Sequence, residues 1–93
     1  MSIAYLQLSL FIPGTQTLKD KRQVLQSMMK RLRNKFNLAV AEIDAQDLYQ
    51  RTELGIVTIN TSSHELQRTL DYVVSFVESN PDMQIMEVKV EYL

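Results

Sequence analysis

The sequence predicts an α+β domain in which four strands form one antiparallel sheet and two helices cover one of its faces. Two observations lead to this fold class. First, the spacing of apolar residues changes along the chain in the order strand, helix, strand, strand, helix, strand. Second, each helical segment has one apolar stripe and each strand has one consistently apolar face, so two layers bury them all. The 93 residues, 45% of them hydrophobic, fit a single domain over residues 1–93.

The first half of the pattern consists of a strand and a long helix. Apolar residues alternate through Ile3–Ile12, which predicts a strand that is buried on one side and partly covered on the other. Thr17 stands three residues before Asp20, which is a variant of the capping-box spacing. The helix is therefore expected to begin near Leu18, and its apolar stripe continues to about Lys35.

The second half repeats this plan with an additional strand. Strands are predicted over Leu38–Ile43 and Leu54–Thr61, followed by a helix that Ser62 and Glu65 cap as a full Ser-x-x-Glu box. The helix ends before an Asn-Pro pair, and Met83–Leu93 forms the last strand. Right-handed crossovers connect these elements in the ferredoxin-like βαββαβ topology, in which we expect the first and last strands to be central.

The sheet face that the helices leave open is more apolar than contact with water requires. We expect Ile3, Tyr5, Phe11, Ile85 and Leu93 to line part of it. One interpretation is that an open sheet tolerates scattered apolar residues. The other is a homodimer interface, formed sheet to sheet or edge to edge.

The basic residues are concentrated in the first helix. Seven of the 10 Lys and Arg residues lie between Lys19 and Lys35, where Asp20 is the only acidic residue. The remainder of the chain has three basic residues against ten acidic ones. The net charge of -1 argues against indiscriminate binding to polyanions, but the molecule is strongly bipolar.

Four of these basic residues share one flank of the first helix with Gln26, at spacings of three and four. We call this flank the basic face; its charged members are Lys19, Arg22, Lys30 and Arg33. It is about 20 Å long, because an α-helix rises 1.5 Å per residue. A row of one charge sign suits successive phosphates, so we predict that it binds structured RNA such as a ribosomal subunit. The alternative is an ordinary solvated helix face.

Lys21 differs from these residues because it projects close to the apolar side of the helix. We expect its aliphatic stem to lie along the edge of the core with the ammonium group in water. The alternative is an ion pair with Glu42, Asp44 or Asp47, which requires the following hairpin to fold back towards the start of the helix.

The stretch Glu42–Arg51, which we call the polar segment, is too rich in functional groups for an ordinary hairpin turn. Its amides and guanidinium could hydrogen-bond base edges, and its tyrosine ring could stack on an unpaired base. The candidate residues for recognition of RNA or a partner protein are Gln46, Asp47, Tyr49, Gln50 and Arg51. The alternative is structural: polar side chains satisfy the backbone of a long hairpin, while Leu48 and Tyr49 pack beneath it.

Several other functions find little support in the sequence. The chain has no cysteine and one histidine, His64, which excludes disulfides and argues against a zinc site. The acidic residues of the polar segment have no second cluster to complete an acid pair or a Mg²⁺ site, so we predict no metal and no cofactor. No signal peptide or membrane span is apparent, and we expect a soluble, cytoplasmic protein.

Two functions known for this topology match only in part. An RNA-recognition motif needs aromatic residues on two central strands, and Tyr5 has no counterpart on the third strand. Acylphosphatases use an arginine-bearing phosphate loop and an asparagine, for which Pro13–Arg22 and Asn60 are the only candidates, and the glycine-rich loop is missing. We therefore predict no catalytic residues.

The chain resembles the YlxP-like family of small bacterial proteins, a domain of unknown function, over essentially its whole length. Its most specific matches are Ile12–Gly14, Thr17–Arg22, Arg33–Asn37, Ala41–Asp44 and Gln46–Arg51. Tyr49 stands where the family commonly has tryptophan, and Asp20 where it commonly has glutamate; both changes keep the chemistry. The resemblance implies a ferredoxin-like fold and a genomic neighbourhood of translation and ribosome-maturation genes, including that for ribosome-binding factor A. It implies no activity.

Together these features favour a non-catalytic accessory factor that acts on ribosomal or other structured RNA in ribosome biogenesis. The alternatives are a protein-interaction module that dimerises through its sheet and an acylphosphatase-like hydrolase.

Overall fold

Six elements follow one another in the predicted order in a computed structural model, which describes every residue from Met1 to Leu93. They are β1 (Ser2–Phe11), α1 (Leu18–Lys35), β2 (Leu38–Asp44), β3 (Arg51–Asn60), α2 (Ser63–Glu78) and β4 (Gln84–Tyr92). The main difference from the predicted bounds is in β3, which begins three residues earlier, at Arg51. The polar segment is therefore shared between two strands and the loop that joins them.

The four strands form one antiparallel sheet in the order β2-β3-β1-β4. This order confirms the ferredoxin-like fold. The first strand is central, as expected, because β1 lies between β3 and β4. The expectation that the last strand is also central was wrong, because β4 lies at an edge and β3 takes the other central position. The buried run Leu54–Ile56 suits the middle of a sheet, whereas the alternating charges of β4 suit an edge.

One face of the sheet and the apolar stripes of both helices make the core. The even-numbered residues of β1, from Ala4 to Leu10, are fully buried on this side. Leu25, Met28 and Leu32 of α1 pack against the same core, as do four residues of α2. This helix-side layer agrees with the predicted two-layer arrangement.

Both predicted helix caps are present. The side chain of Thr17 accepts a hydrogen bond from the Asp20 N–H at 3.1 Å, and the Ser62 side chain accepts one from the Glu65 N–H at 3.2 Å. Each bond satisfies an N–H that the first helical turn leaves without a partner. Neither helix combines the length and the apolar character needed to cross a membrane.

The open face of the sheet is apolar near its centre. Tyr5 is half-buried there and, with Ile43, covers Gly55 so closely that an added Cβ would lie 2.8 Å from Ile43 Cγ2. Ile85 was wrongly expected on this face. The β1–β4 register shifts between Ser9 and Leu10, which places Ile85 opposite Leu10 and against the core.

The other residues expected on the open face lie there or at its end. Ile3 and Phe11 belong to the same side of β1 as Tyr5 and are partly exposed. The N–H of Leu93 donates to the carbonyl of Ile3 at 2.9 Å, which holds the end of the chain beside β1.

Candidate nucleic-acid interface

The polar segment is fastened to the start of α1 by the buried ammonium group of Lys21. Its Nζ lies 2.7 Å from Glu42 Oε2, 2.7 Å from the carbonyl oxygen of Ala45 and 2.6 Å from that of Leu48. These three acceptors match the three N–H groups of a lysine. The same Glu42 oxygen accepts a hydrogen bond from Thr52 Oγ1 at 2.6 Å. Lys21 therefore forms the ion pair considered in the sequence analysis, and the expectation that its ammonium group remains in water was wrong.

A second set of hydrogen bonds joins the polar segment to the loop after β1. The side-chain amide of Gln50 donates to the carbonyl oxygens of Thr15 at 3.1 Å and Pro13 at 3.4 Å. The Thr15 hydroxyl lies within hydrogen-bonding distance of the carbonyl oxygens of Ile12 and Tyr49. Gln50 is thus a structural residue in this loop, and its amide group is already engaged by the protein.

The backbone of the loop turns sharply where β2 ends. Ala45 has a φ of 62°, in the left-handed region, and its N–H donates to Asp44 Oδ1 at 2.7 Å. Its carbonyl accepts from the Leu48 N–H at 3.1 Å as well as from Lys21. The bond to Lys21 thus stabilises a backbone conformation at Ala45 that is uncommon for residues other than glycine.

Four predicted recognition residues remain available to a ligand. Gln46, Asp47, Tyr49 and Arg51 are exposed, and their side chains make no hydrogen bond or ion pair within the protein. Tyr49 is 46% exposed and Leu48 is 51% exposed, so neither packs beneath the hairpin as the structural alternative required. The segment therefore combines a fixed backbone with free side chains.

A concavity of about 450 Å³ lies beside this loop, between the ends of β2 and β3. It is lined in part by Asp47, Arg51 and Glu53, and one carboxylate oxygen of Glu53 is buried without a hydrogen-bond partner. The acidic side chains here do not converge, and no group of three or more potential metal ligands occurs anywhere in the protein.

The basic face is exposed along α1. Lys19, Arg22 and Lys30 have no acidic side chain within 4.0 Å, since the three ion pairs of the protein involve other basic residues. Arg33 differs, because its Nη2 donates to the carbonyl oxygen of Val40 at 3.1 Å. That bond places this end of the basic face over β2, at the edge of the sheet.

The opposite flank of α1 uses its positive charges within the protein. The guanidinium of Arg31 lies 5.1 Å from the ring centre of Phe76, and the ammonium of Lys35 lies 4.8 Å from it. The rings of Phe36 and Phe76 meet edge to face at 5.9 Å. These cations help to hold α1 against α2, which leaves the basic face as the flank with free charges.

The residues considered for a phosphate-ester hydrolase are not brought together. The β1–β3 register places Asn60 opposite Ser2 and Arg51 opposite Phe11. Asn60 therefore lies at the other end of the sheet from the loop that follows β1, about 30 Å from it at the rise of a strand. Its side-chain oxygen accepts a hydrogen bond from the Ser62 N–H at 3.0 Å and so supports the start of α2.

Comparison with known proteins identifies the family of this chain. The family model described as a protein of unknown function (DUF503) matches residues 3–90. The chain belongs to the DUF503 family. It is 32% identical over 90 residues to the uncharacterised protein YlxP of Bacillus subtilis (strain 168), which covers 97% of this chain and 98% of that protein. The resemblance noted in the sequence is thereby confirmed.

A solved structure gives independent support for the fold of this DUF503 protein. The crystal structure of the Arabidopsis thaliana protein At3g17210, treated by ensemble refinement, superposes with a TM-score of 0.50 at 11% identity. The match covers 98% of this chain and 92% of that one. At this identity the likeness concerns the fold alone.

Sequence reasoning missed the residues that build the loop. Thr15 and Thr52 were not singled out, although one contacts two backbone carbonyls and the other donates to Glu42. Their sequence signal is weak, because a threonine at the end of a strand or in a loop is common. Only the folded structure brings the loop after β1, the start of α1 and the polar segment to one end of the sheet.

Proposed function

We propose that this DUF503 protein is a non-enzymatic, cytoplasmic factor that binds structured RNA, with ribosomal RNA as its substrate class. The observation that carries the proposal is the row of unpaired cations on α1. Lys19, Arg22 and Lys30 are exposed and have no acidic partner. Exposed cations in a row release counterions when they contact successive phosphates, which supplies affinity without sequence preference.

The polar segment adds groups that could distinguish one RNA site from another. Lys21 holds its backbone against the N-terminal part of α1, and the side chains of Gln46, Tyr49 and Arg51 remain free. An exposed tyrosine ring can stack on an unpaired base, while amide and guanidinium groups can bond base edges. Gln50 was predicted together with these residues, but its side-chain amide already bonds the carbonyl oxygens of Thr15 and Pro13. It therefore has a structural role in the loop.

The test is cosedimentation of the purified protein with ribosomal subunits and their precursors across a salt series. We expect the wild-type protein to pellet with one subunit at low salt and to be released as salt rises. Arg22→Glu/Lys30→Glu should remain in the supernatant. This pair is preferable to variants of Arg33, because Arg33 also bonds the backbone of β2.

A matched control has the same change of charge elsewhere. Lys30→Glu is compared with Arg68→Glu on α2, where Arg68 is already paired with Glu65 at 3.2 Å. We expect Lys30→Glu to lose binding and Arg68→Glu to retain most of it. If wild-type protein stays in the supernatant at every salt concentration, or if both single variants lose binding equally, the basic face is not an RNA-binding surface.

A protein partner is the second candidate, and the open sheet face favours it. Val57 and Ile59 are 42% and 45% exposed there, next to an apolar concavity of about 240 Å³ lined by Tyr5, Ile43 and their neighbours. Binding through this face would respond to Val57→Lys and would be insensitive to changes on α1.

A further inference from the structure

The edge strand β4 has an apolar stripe that the helices cover only in part, although the Tyr92 hydroxyl donates a hydrogen bond to Gln67 of α2. Val88, Val90 and Tyr92 lie opposite buried residues of β1, so their side chains project towards the helix side of the sheet. On the interior strands this side is fully buried, yet these three residues are 42%, 44% and 56% exposed. Along these residues the core therefore stops one strand short of the sheet edge, whereas Ile85 near the start of β4 packs against it.

The backbone of the same residues is free to pair. The Leu93 N–H donates to the Ile3 carbonyl, which makes these residues a hydrogen-bonded pair across β1 and β4. Bonding alternates along an antiparallel strand, so the odd-numbered residues of β4 bond to β1. The N–H and C=O groups of Val88, Val90 and Tyr92 consequently point away from the sheet, at its free edge.

The other side of β4 has alternating charges. Glu87, Lys89 and Glu91 project on the open face, and Lys89 Nζ lies 3.8 Å from Glu87 Oε1. A lone edge lysine discourages pairing with other strands. A lysine between two glutamates favours pairing with a second, identical strand that runs antiparallel, because each lysine then lies opposite a glutamate.

We infer that β4 pairs with β4 of a second copy of this chain, about a two-fold axis at Val90. This register places Lys89 opposite Glu91 of the partner subunit, twice by symmetry. On the helix side it places Val90 against Val90 of the partner subunit and Val88 against Tyr92 of the partner subunit. The two sheets become one sheet of eight antiparallel strands, and the two apolar stripes pack side by side as cross-strand pairs.

The dimer leaves the basic faces free. Arg33 bonds the backbone of β2, which is the edge strand farthest from β4. The two α1 helices therefore lie at opposite ends of the eight-stranded sheet, away from the two-fold axis. The inference does not depend on RNA binding, and a monomer with the same basic face could still bind RNA.

The first test exchanges the charges that face each other. Sedimentation equilibrium of the full chain should show a dimer, and Lys89→Glu or Glu91→Lys alone should each raise its Kd about tenfold, since each creates two like-charged pairs. The double variant Lys89→Glu/Glu91→Lys restores opposite charges and should return the Kd to within about threefold of wild type. Circular dichroism checks that each variant is folded.

The second test uses the absence of cysteine from the chain. A single Val90→Cys variant places two thiols at the two-fold axis, where the Cα atoms of a hydrogen-bonded pair are about 5.5 Å apart and can form a disulfide. In Val88→Cys the two thiols lie about 14 Å apart, four residues along the strands. Mild oxidation should crosslink the first variant and not the second.

Three results would overturn the inference. The first is a wild-type protein that is monomeric up to about 0.1 mM, a concentration at which a specific dimer should form. The second is a dimer unaffected by either single charge exchange and dissociated by Val57→Lys, which would place the interface on the open sheet face. The third is equal crosslinking of Val88→Cys and Val90→Cys.

Discussion

Lys21 and Glu42 form an ion pair that connects α1 to β2, with the lysine buried and the glutamate partly exposed. The distance between Lys21 Nζ and Glu42 Oε2 is 2.7 Å, and the two side chains are 2% and 18% exposed. The remaining donors of Lys21 bond the carbonyl oxygens of Ala45 and Leu48. A buried cation with all its donors used stabilises one loop conformation, because any other arrangement would leave charges and carbonyls unsatisfied.

Replacing Lys21 by Met should destabilise the protein by about 3 kcal/mol, measured as the free energy of unfolding in urea. The methionine side chain fills similar space, but it removes the cation beside the Glu42 carboxylate, which keeps only its bond from Thr52. It also removes the Lys21 donor from the Ala45 and Leu48 carbonyl oxygens. Lys19→Met is the matched control, since Lys19 is exposed on the same helical turn and should change stability by less than about 0.5 kcal/mol. Equal stability of the two variants would contradict a structural role for Lys21.

Gln50→Ala should loosen the loop without unfolding the protein. The substitution removes the hydrogen bonds to the Thr15 and Pro13 carbonyls and should cost about 1 kcal/mol. We expect faster hydrogen exchange at the Leu48 N–H, which bonds Ala45 inside the loop, with little change at β1. Gln46→Ala, in the same loop but without such bonds, is the control and should exchange like wild type.

The two glycines should respond in opposite ways to alanine. A Cβ at Gly55 would lie 2.8 Å from Ile43 Cγ2 and 3.1 Å from the Tyr5 hydroxyl, whereas a Cβ at Gly14 meets nothing within 4 Å. We expect Gly55→Ala to cost about 1 to 3 kcal/mol through overpacking. Gly14→Ala should be neutral or stabilising by up to about 1 kcal/mol, because alanine restricts the unfolded chain.

A double variant locates the cause of the Gly55 effect. If contact with Ile43 is responsible, Gly55→Ala should cost distinctly less in an Ile43→Ala background, and thermal unfolding of the four proteins measures this difference. An additive result would assign the cost to the Tyr5 ring or to the backbone.

Local patterns predicted the elements well because their signals lie within a few residues. Thr17 and Ser62 mark helix starts through bonds to N–H groups three residues ahead, and both bonds are present. Strand order is a relationship between distant segments, and the pattern of β4 was misinterpreted as central. Its three alternating charges indicated an edge strand, which is where the structure places it.

The candidate site was predictable only in part for the same reason. The basic face follows from helical spacing alone, and its exposure is as expected. Whether Lys21 reaches water or Glu42 depends on where a loop more than twenty residues later folds, and helical spacing cannot supply that position. Gln50 and Tyr49 have similar sequence contexts, yet one bonds the backbone of another loop and the other is exposed.

If the protein binds RNA as proposed, phosphate contacts and base contacts should differ in their salt dependence. Lys30→Ala should lower the slope of log K against log salt by about one, because one phosphate contact is lost. Tyr49→Ala should weaken binding by about 1 to 3 kcal/mol at every salt concentration and leave the slope unchanged, since stacking releases no counterions. Tyr72→Ala, at an exposed tyrosine on α2, is the control and should leave both quantities unchanged. Titration of labelled RNA at several salt concentrations measures them together, and a slope that falls in Tyr49→Ala as it does in Lys30→Ala would argue against a stacking role for Tyr49.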